Sequence, residues 1–234
     1  TPENIYPFWD WVGGRFSVWS AVGFPIAIKF GFDTYMDFLG GAYAMDQHFI
    51  EAPAAENMPL MLALTLIHNQ QKHGITAKAL IPYAHALRLL PEWLQQLEME
   101  SHGKSITMSG ETCDPTSPVV FGSAGSNSQH SYFQMLHQGS QIIPVDFIAI
   151  QEPMSQLPEA KEHHEALIAN CLAQAQALAN GSHEQKAYDS CPGNRPSNLL
   201  WIKKLDAFHL GALLALYEHR ALRSEEHTSE LQSH

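Results

Sequence analysis

Hydrophobic positions along the chain alternate between helical spacing and short unbroken apolar runs. Ser17 to about Phe30 and Thr34 to about Phe49 carry apolar residues at helical intervals, separated by the break Gly31-Phe32-Asp33. A third helix is expected over Met58 to His73, with Asn57 as its cap, Pro59 in its first turn and Gly74 as its stop. Ala77 to Pro82 reads as a short apolar strand, and Tyr83 to Leu97 returns to helical spacing. Val119-Val120-Phe121 is a second buried strand, running into a Gly- and Ser-rich turn that a helix from Gln129 to His137 follows. Gln141 to Ile150 is the third strand and Leu157 to Asn180 a long Ala-rich helix. Gly181 to Leu199, with Pro192, Gly193 and Pro196, reads as a loop before a last helix from Ala207 to Leu222. Apolar strands alternating with helices imply a parallel sheet covered on both faces. The expected fold class is α/β, a three-layer αβα sandwich with a mainly parallel sheet.

Composition narrows the function classes. With 45% hydrophobic and 16% charged residues among 234, the chain can bury a sizeable core, which excludes a disordered protein. Thirteen basic against 24 acidic residues give a net charge of −11, so no nucleic-acid partner is expected. No run approaches the roughly 18 apolar residues of a membrane helix, so no membrane partner is expected either. The N-terminal residues have no basic stretch followed by an apolar one, as a secretion signal would. Cys113, Cys171 and Cys191 are widely spaced, with no CxxC, and suit buried thiols in a reducing compartment. A cytoplasmic location follows. The chain starts at Thr1 rather than Met, as a piece of a longer protein would. The last twelve residues, Arg223 to His234, change character abruptly and look like a translated sequencing adapter. They are therefore expected to pack against nothing.

Three constellations could carry chemistry. Gly13-Gly14-Arg15 before a helix start lets backbone amides and a guanidinium converge on an anion. The same residues also fit a plain helix-entry turn with a surface Arg. Gln96 to Lys104 places Glu100 where a helix leaves into a Gly turn. That carboxylate either projects into a cleft, where desolvation makes it a stronger base, or caps a solvated acidic helix end. Gly122 to His130 joins a buried strand to a helix, and such turns lie at the carboxyl edge of a parallel sheet, where ligands bind. His130 is expected in the first turn of that helix. The alternative is a structural turn with a packed histidine. His68, His73, His163 and His164 lack the facing pairs of a metal site, so no metal is expected. Trp9, Trp11 and Trp19 are read as core.

Together these segments resemble the glucose-6-phosphate isomerase (phosphoglucose isomerase) family. The resemblance rests on Asp10 to Gly23, Met45 to Phe49, Met99 to Lys104, Gly125 to His130 with Leu136 to Gly139, and Gly193 to Asn198. These matches are collinear from about Phe8 to Arg220. The resemblance implies two sugar-isomerase domains in the intact protein. Residues 1–30 would end the first, 31–222 would form a truncated second, and 223–234 would be the non-native tail. It implies interconversion of glucose 6-phosphate and fructose 6-phosphate through a cis-enediol, with no metal or organic cofactor.

By position, Arg15 would stabilise the enediolate, Glu100 would shuttle the proton between C2 and C1, and Gln96 and Gly14 would contact the substrate. His130 would help open the sugar ring, reaching the site across the interface of a homodimer. The family's phosphate-binding loop and catalytic Lys have no counterpart in the sequence, so the chain alone is expected to be inactive. A non-enzymatic sugar-phosphate-binding regulator on the same fold is the second reading, and a retained Glu100 and His130 count against it.

Overall fold

The computed structural model describes residues 2–107, 109–113, 115–183 and 186–228. They fall into two compact units, one built from 1–68, 101–116 and 206–234, the other from 69–100 and 117–205.

The first unit is helical. After a short 3₁₀ turn at Pro2–Asn4 it has 3₁₀ turns over Gly14–Trp19 and Ala21–Gly23, where a single α-helix was expected from Ser17 onward. Serine hydroxyls explain the difference: Ser17 Oγ donates to Gly14 O at 2.7 Å and Ser20 Oγ to Ser17 O at 2.6 Å. Such local bonds compete with the α-helical ladder. Helix α1 (Phe24–Phe30) then starts with Pro25 in its first turn. Helix α2 (Phe32–Glu51) precedes α3 (Met58–His73), whose Leu60 amide is capped by Asn57 Oδ1 at 3.1 Å.

The last helix among the described residues, α8, spans Ala207–Thr228 and packs on α2. Their crossing depends on two glycines. A methyl on Gly41 would strike the Phe208 carbonyl, and one on Gly211 the Phe38 carbonyl. Trp19 stacks on Phe38 with ring centroids 4.8 Å apart. Trp9 and Trp11 do not join a core: they are exposed and stack on one another.

The helix continues past Leu222, and the packing of its next two residues corrects the expectation that the tail touches nothing. Arg223 lies over the Phe49 ring, 4.8 Å from its centroid, and Ser224 is buried. Both belong to the packed helix, because their spacing keeps them on its inner side. Residues 229–234 lie outside the described part of the chain.

The second unit carries the sheet. Strands β1 (Ala77–Pro82), β2 (Val119–Gly122), β3 (Val145–Ile150) and β4 (Ser197–Ile202) pair in parallel, in the order β2-β1-β3-β4. The third strand starts at Val145, four residues later than expected, because Pro144 has no amide to donate to the ladder. The fourth strand occupies the end of the segment expected to be a loop. Its residues pair Ser197 with Val145 through to Ile202 with Ile150.

Helix α4 (Leu90–Gln95) forms the β1-to-β2 crossover; α5 (Gly125–Gln129), α6 (Phe133–Gln138) and α7 (Ala160–Asn180) follow β2 and β3. The first crossover runs to one side of β1 and the later ones to the other. Because parallel crossovers are right-handed, their helices cover opposite faces, giving three layers. Ala79, Ile81, Val145, Phe147 and Ala149 bury one face against Phe133, Leu136, Cys171 and Leu178.

Lys78 and Asp146, one residue out of phase, pair at 2.6 Å on the opposite face, both nearly inaccessible to solvent. Asn198 Nδ2 donates to the other oxygen of Asp146 at 2.8 Å. Of the three cysteines only Cys171 is buried, and burial pushes its thiol up to about 12; Cys113 and Cys191 are half-buried. No helix among the described residues is long and apolar enough to cross a membrane.

Candidate active-site residues and family

Gly13 precedes the 3₁₀ turn in extended conformation, and Gly14 opens it. A side chain added at Gly14 would meet nothing within 4 Å, so a ligand can approach this backbone closely. Arg15 follows, with its guanidinium carbon 5.3 Å from the Phe16 ring centroid. Its Nε donates to Ser101 Oγ at 2.8 Å.

Ser101 is fully buried, and its carbonyl accepts from Lys104 Nζ at 2.6 Å. His102, also fully buried, sets Nε2 2.9 Å from Ala221 O and 2.8 Å from Ser224 Oγ on α8. Thr116 Oγ1 donates to the His102 carbonyl and, at 3.2 Å, to that of Lys104. The short segment 101–104 is thus pinned on several sides.

Within the sheet unit, α4 runs into a π-helical turn over Gln96–Glu100. That turn sends Glu98 inward, fully buried, and Gln96 and Glu100 outward. The two exposed residues meet: Gln96 Nε2 donates to Glu100 Oε2 at 3.1 Å. Within this unit the Glu100 carboxylate is exposed, as in the solvated alternative of the two readings.

His130 also departs from expectation. It caps the C-terminal end of α5 rather than opening a helix, because the helix starts at Gly125, inside the Gly-rich turn. The amides of Ser131 and Tyr132 both turn back to Ser128 O, which ends α5 and separates it from α6. Gly125 lies against the Tyr83 ring, and Ser123 and Ser128 face each other at 3.0 Å. The glycine and these hydroxyls are engaged in packing the turn. The His130 ring is exposed. It stands where the chain has left the carboxyl edge of β2, whereas α4 and its π turn lead back from that edge.

A cavity of about 660 Å³ opens in the sheet unit beyond β1 and β3, whose connections run in opposite directions. Tyr83, His85, Ile150, Met154, Leu157 and His163 are among its lining residues, and Arg15, Gln96, Glu100 and His130 are not. Among the described residues no group of three or more His, Cys, Asp or Glu is placed to hold a metal ion.

The family model for phosphoglucose isomerase matches residues 1–225. The chain belongs to the phosphoglucose isomerase family. It is 50% identical over 221 residues to glucose-6-phosphate isomerase 1 of Chromohalobacter salexigens, covering 93% of this chain and 40% of that protein. It is 51% identical over 232 residues to glucose-6-phosphate isomerase 2 of Cupriavidus pinatubonensis, covering 94% and 42%. The fold superposes on the crystal structure of a glucose-6-phosphate isomerase from Chlamydia trachomatis with a TM-score of 0.86 at 37% identity, over 93% of this chain and 43% of that one. The chain therefore spans about two fifths of the relatives it matches. The phosphoglucose isomerase match extends three residues into the segment read as adapter-like.

Ser101 and His102 lie inside the segment Met99 to Lys104 but carry no sequence signal of their own. A carboxylate such as Glu100 announces proton chemistry, while a buried hydroxyl declares its partner only in three dimensions.

Proposed function

We propose that the intact protein interconverts glucose 6-phosphate and fructose 6-phosphate in the cytoplasm through a cis-enediol. Family membership over residues 1–225 carries this reading. Glu100 takes the proton from C2 and returns it to C1, while the hydroxyl proton moves from O2 to O1. The Gln96 amide, donating to Oε2, helps orient the carboxylate. Arg15 supplies a fixed positive charge beside the oxyanion that develops, and Gly14 allows the sugar to lie close to the backbone. His130, exposed on its own subunit, assists ring opening in the site of the second subunit of a homodimer. Residues 1–30 and 31–222 belong to the first and second sugar-isomerase domains in this reading. No step of the proton shuttle calls for a metal or organic cofactor.

The test is a chimera in which residues 8–222 replace the matched segment of the Chromohalobacter salexigens enzyme. Turnover of glucose 6-phosphate to fructose 6-phosphate is expected, and Glu100→Gln should lower kcat by about 10²–10⁴-fold or more, since the amide cannot accept a proton. A folded chimera that binds the sugar phosphate without converting it would favour the regulatory reading instead.

A further inference from the structure

We infer that Ser101 is a positioning residue for isomerisation: its hydroxyl sets the plane of the Arg15 guanidinium. The inference rests on the isomerase reading above and adds a residue to it.

A guanidinium stabilises an oxyanion only when its N–H fork points at the atom where charge develops. Arginine reaches that point on a side chain with several rotatable bonds, so something must fix the last of them. The Arg15 Nε–H is engaged at 2.8 Å by Ser101 Oγ, which defines the orientation of the planar group about its own axis. The four Nη hydrogens take no part in this bond. Phe16 lies near the guanidinium carbon and limits its swing.

Ser101 can serve as a reference point because it does not move easily. It is fully buried, Lys104 Nζ holds its carbonyl at 2.6 Å, and the next residue, His102, is bonded to Ala221 and Ser224 of α8. Thr116 clamps the carbonyl of His102 from another side. A single rigid segment therefore follows Glu100 directly in the chain and also grips Arg15.

Two measurements test the assignment. In the 234-residue chain, the Arg15 Nε–H signal is followed by NMR; solvent exchange should accelerate about 10-fold or more in Ser101→Ala. In the chimera, Ser101→Ala should lower kcat about 10- to 100-fold while KM changes less than about 3-fold, because the lost alignment matters only in the transition state. Ser101→Cys, which keeps most of the volume but accepts poorly, should lose activity in the same way if the alanine variant does not fold.

In an Arg15→Ala background the serine substitution should add nothing further. Wild-type kcat in Ser101→Ala, or an equal loss with and without Arg15, would overturn the inference. So would an unaltered Nε–H exchange rate. A folded wild-type chimera without turnover, alongside Ser101-dependent exchange in the chain, would overturn the isomerase reading and the positioning role together while leaving the hydrogen bond established.

Discussion

The Trp19 indole Nε1 donates to Glu218 Oε2 at 2.7 Å, tying the 3₁₀ turn Gly14–Trp19 to the middle of α8. Glu218 is an acidic group whose carboxyl is largely withdrawn from water. Burial pushes its carboxyl up to about 8; the Trp19 hydrogen bond works against that shift and the nearby Asp46 charge adds to it. The other oxygen, Oε1, is buried with no hydrogen-bond partner. The folded state therefore holds Glu218 protonated at neutral pH, whereas the unfolded chain ionises it near 4.5.

A raised carboxyl value means that folding takes up a proton. Its contribution to stability is fully present below about pH 4.5 and is lost as pH rises toward about 8, at up to about 1.4 kcal/mol per pH unit. Urea denaturation between pH 5 and 9 should show this decline. Glu218→Gln, which cannot ionise, should show a flatter profile over that window.

The buried pair of Lys78 and Asp146 joins adjacent strands and is completed by Asn198 on the next one. Removing one charge leaves the other in a low-dielectric interior, which typically costs about 3–5 kcal/mol. Lys78→Met is expected to lower the denaturation midpoint sharply. The double variant Lys78→Met with Asp146→Leu should recover much of that loss, and a midpoint no higher than that of the single variant would contradict this account.

Gly211 sits inside α8, where alanine would ordinarily favour the helix by about 1 kcal/mol. Here its Cβ would collide with the Phe38 carbonyl of α2, which is backbone and cannot rotate away. Gly211→Ala should therefore destabilise the protein by about 1–3 kcal/mol. Gly14→Ala, at a position with open space around it, should change stability little by thermal melting.

Ser224 separates two views of the chain's last residues. Its hydroxyl lies 2.8 Å from His102 Nε2 and 2.9 Å from Arg220 O, in a fully packed setting. Ser224→Ala should cost about 1–3 kcal/mol, the range for stranding a buried polar partner. A change within about ±0.5 kcal/mol, usual for a featureless surface position, would mean that this serine is incidental to the fold.

The elements that could be read from the sequence are those whose ends carry their own chemistry. The third helix begins at the Asn57 cap and stops at Gly74, which adopts the positive φ of 61° that a helix end favours. The first strand, apolar but for Lys78, is buried almost throughout, and its limits are those read from the sequence. By contrast the fourth strand alternates half-buried and exposed residues at the sheet edge, next to Pro196. Its apolar run, Leu199 to Ile202, is a local strand signal that the neighbouring Pro and Gly residues obscure, and the hydrogen bonds of β3 make it a strand. The Gly-rich turn was legible as a turn at a sheet edge, but whether its first residues are helical depends on Gly125 fitting under Tyr83.

For the candidate site, residue identities and motif order came from the chain itself. Glycines beside an arginine, and a glutamate before a Gly turn, are chemical statements that need no fold. Their arrangement came from elsewhere. A π-helical turn bonds Gln96 to Glu100 and buries Glu98 between them, and the hydroxyl 86 positions away in sequence from Arg15 is the one that holds it. Sequence specifies which groups exist and what local backbone they prefer, because those energies are short-ranged. Which buried donor meets which acceptor is decided by packing, since a polar group removed from water must find its partner wherever the tertiary fold places one.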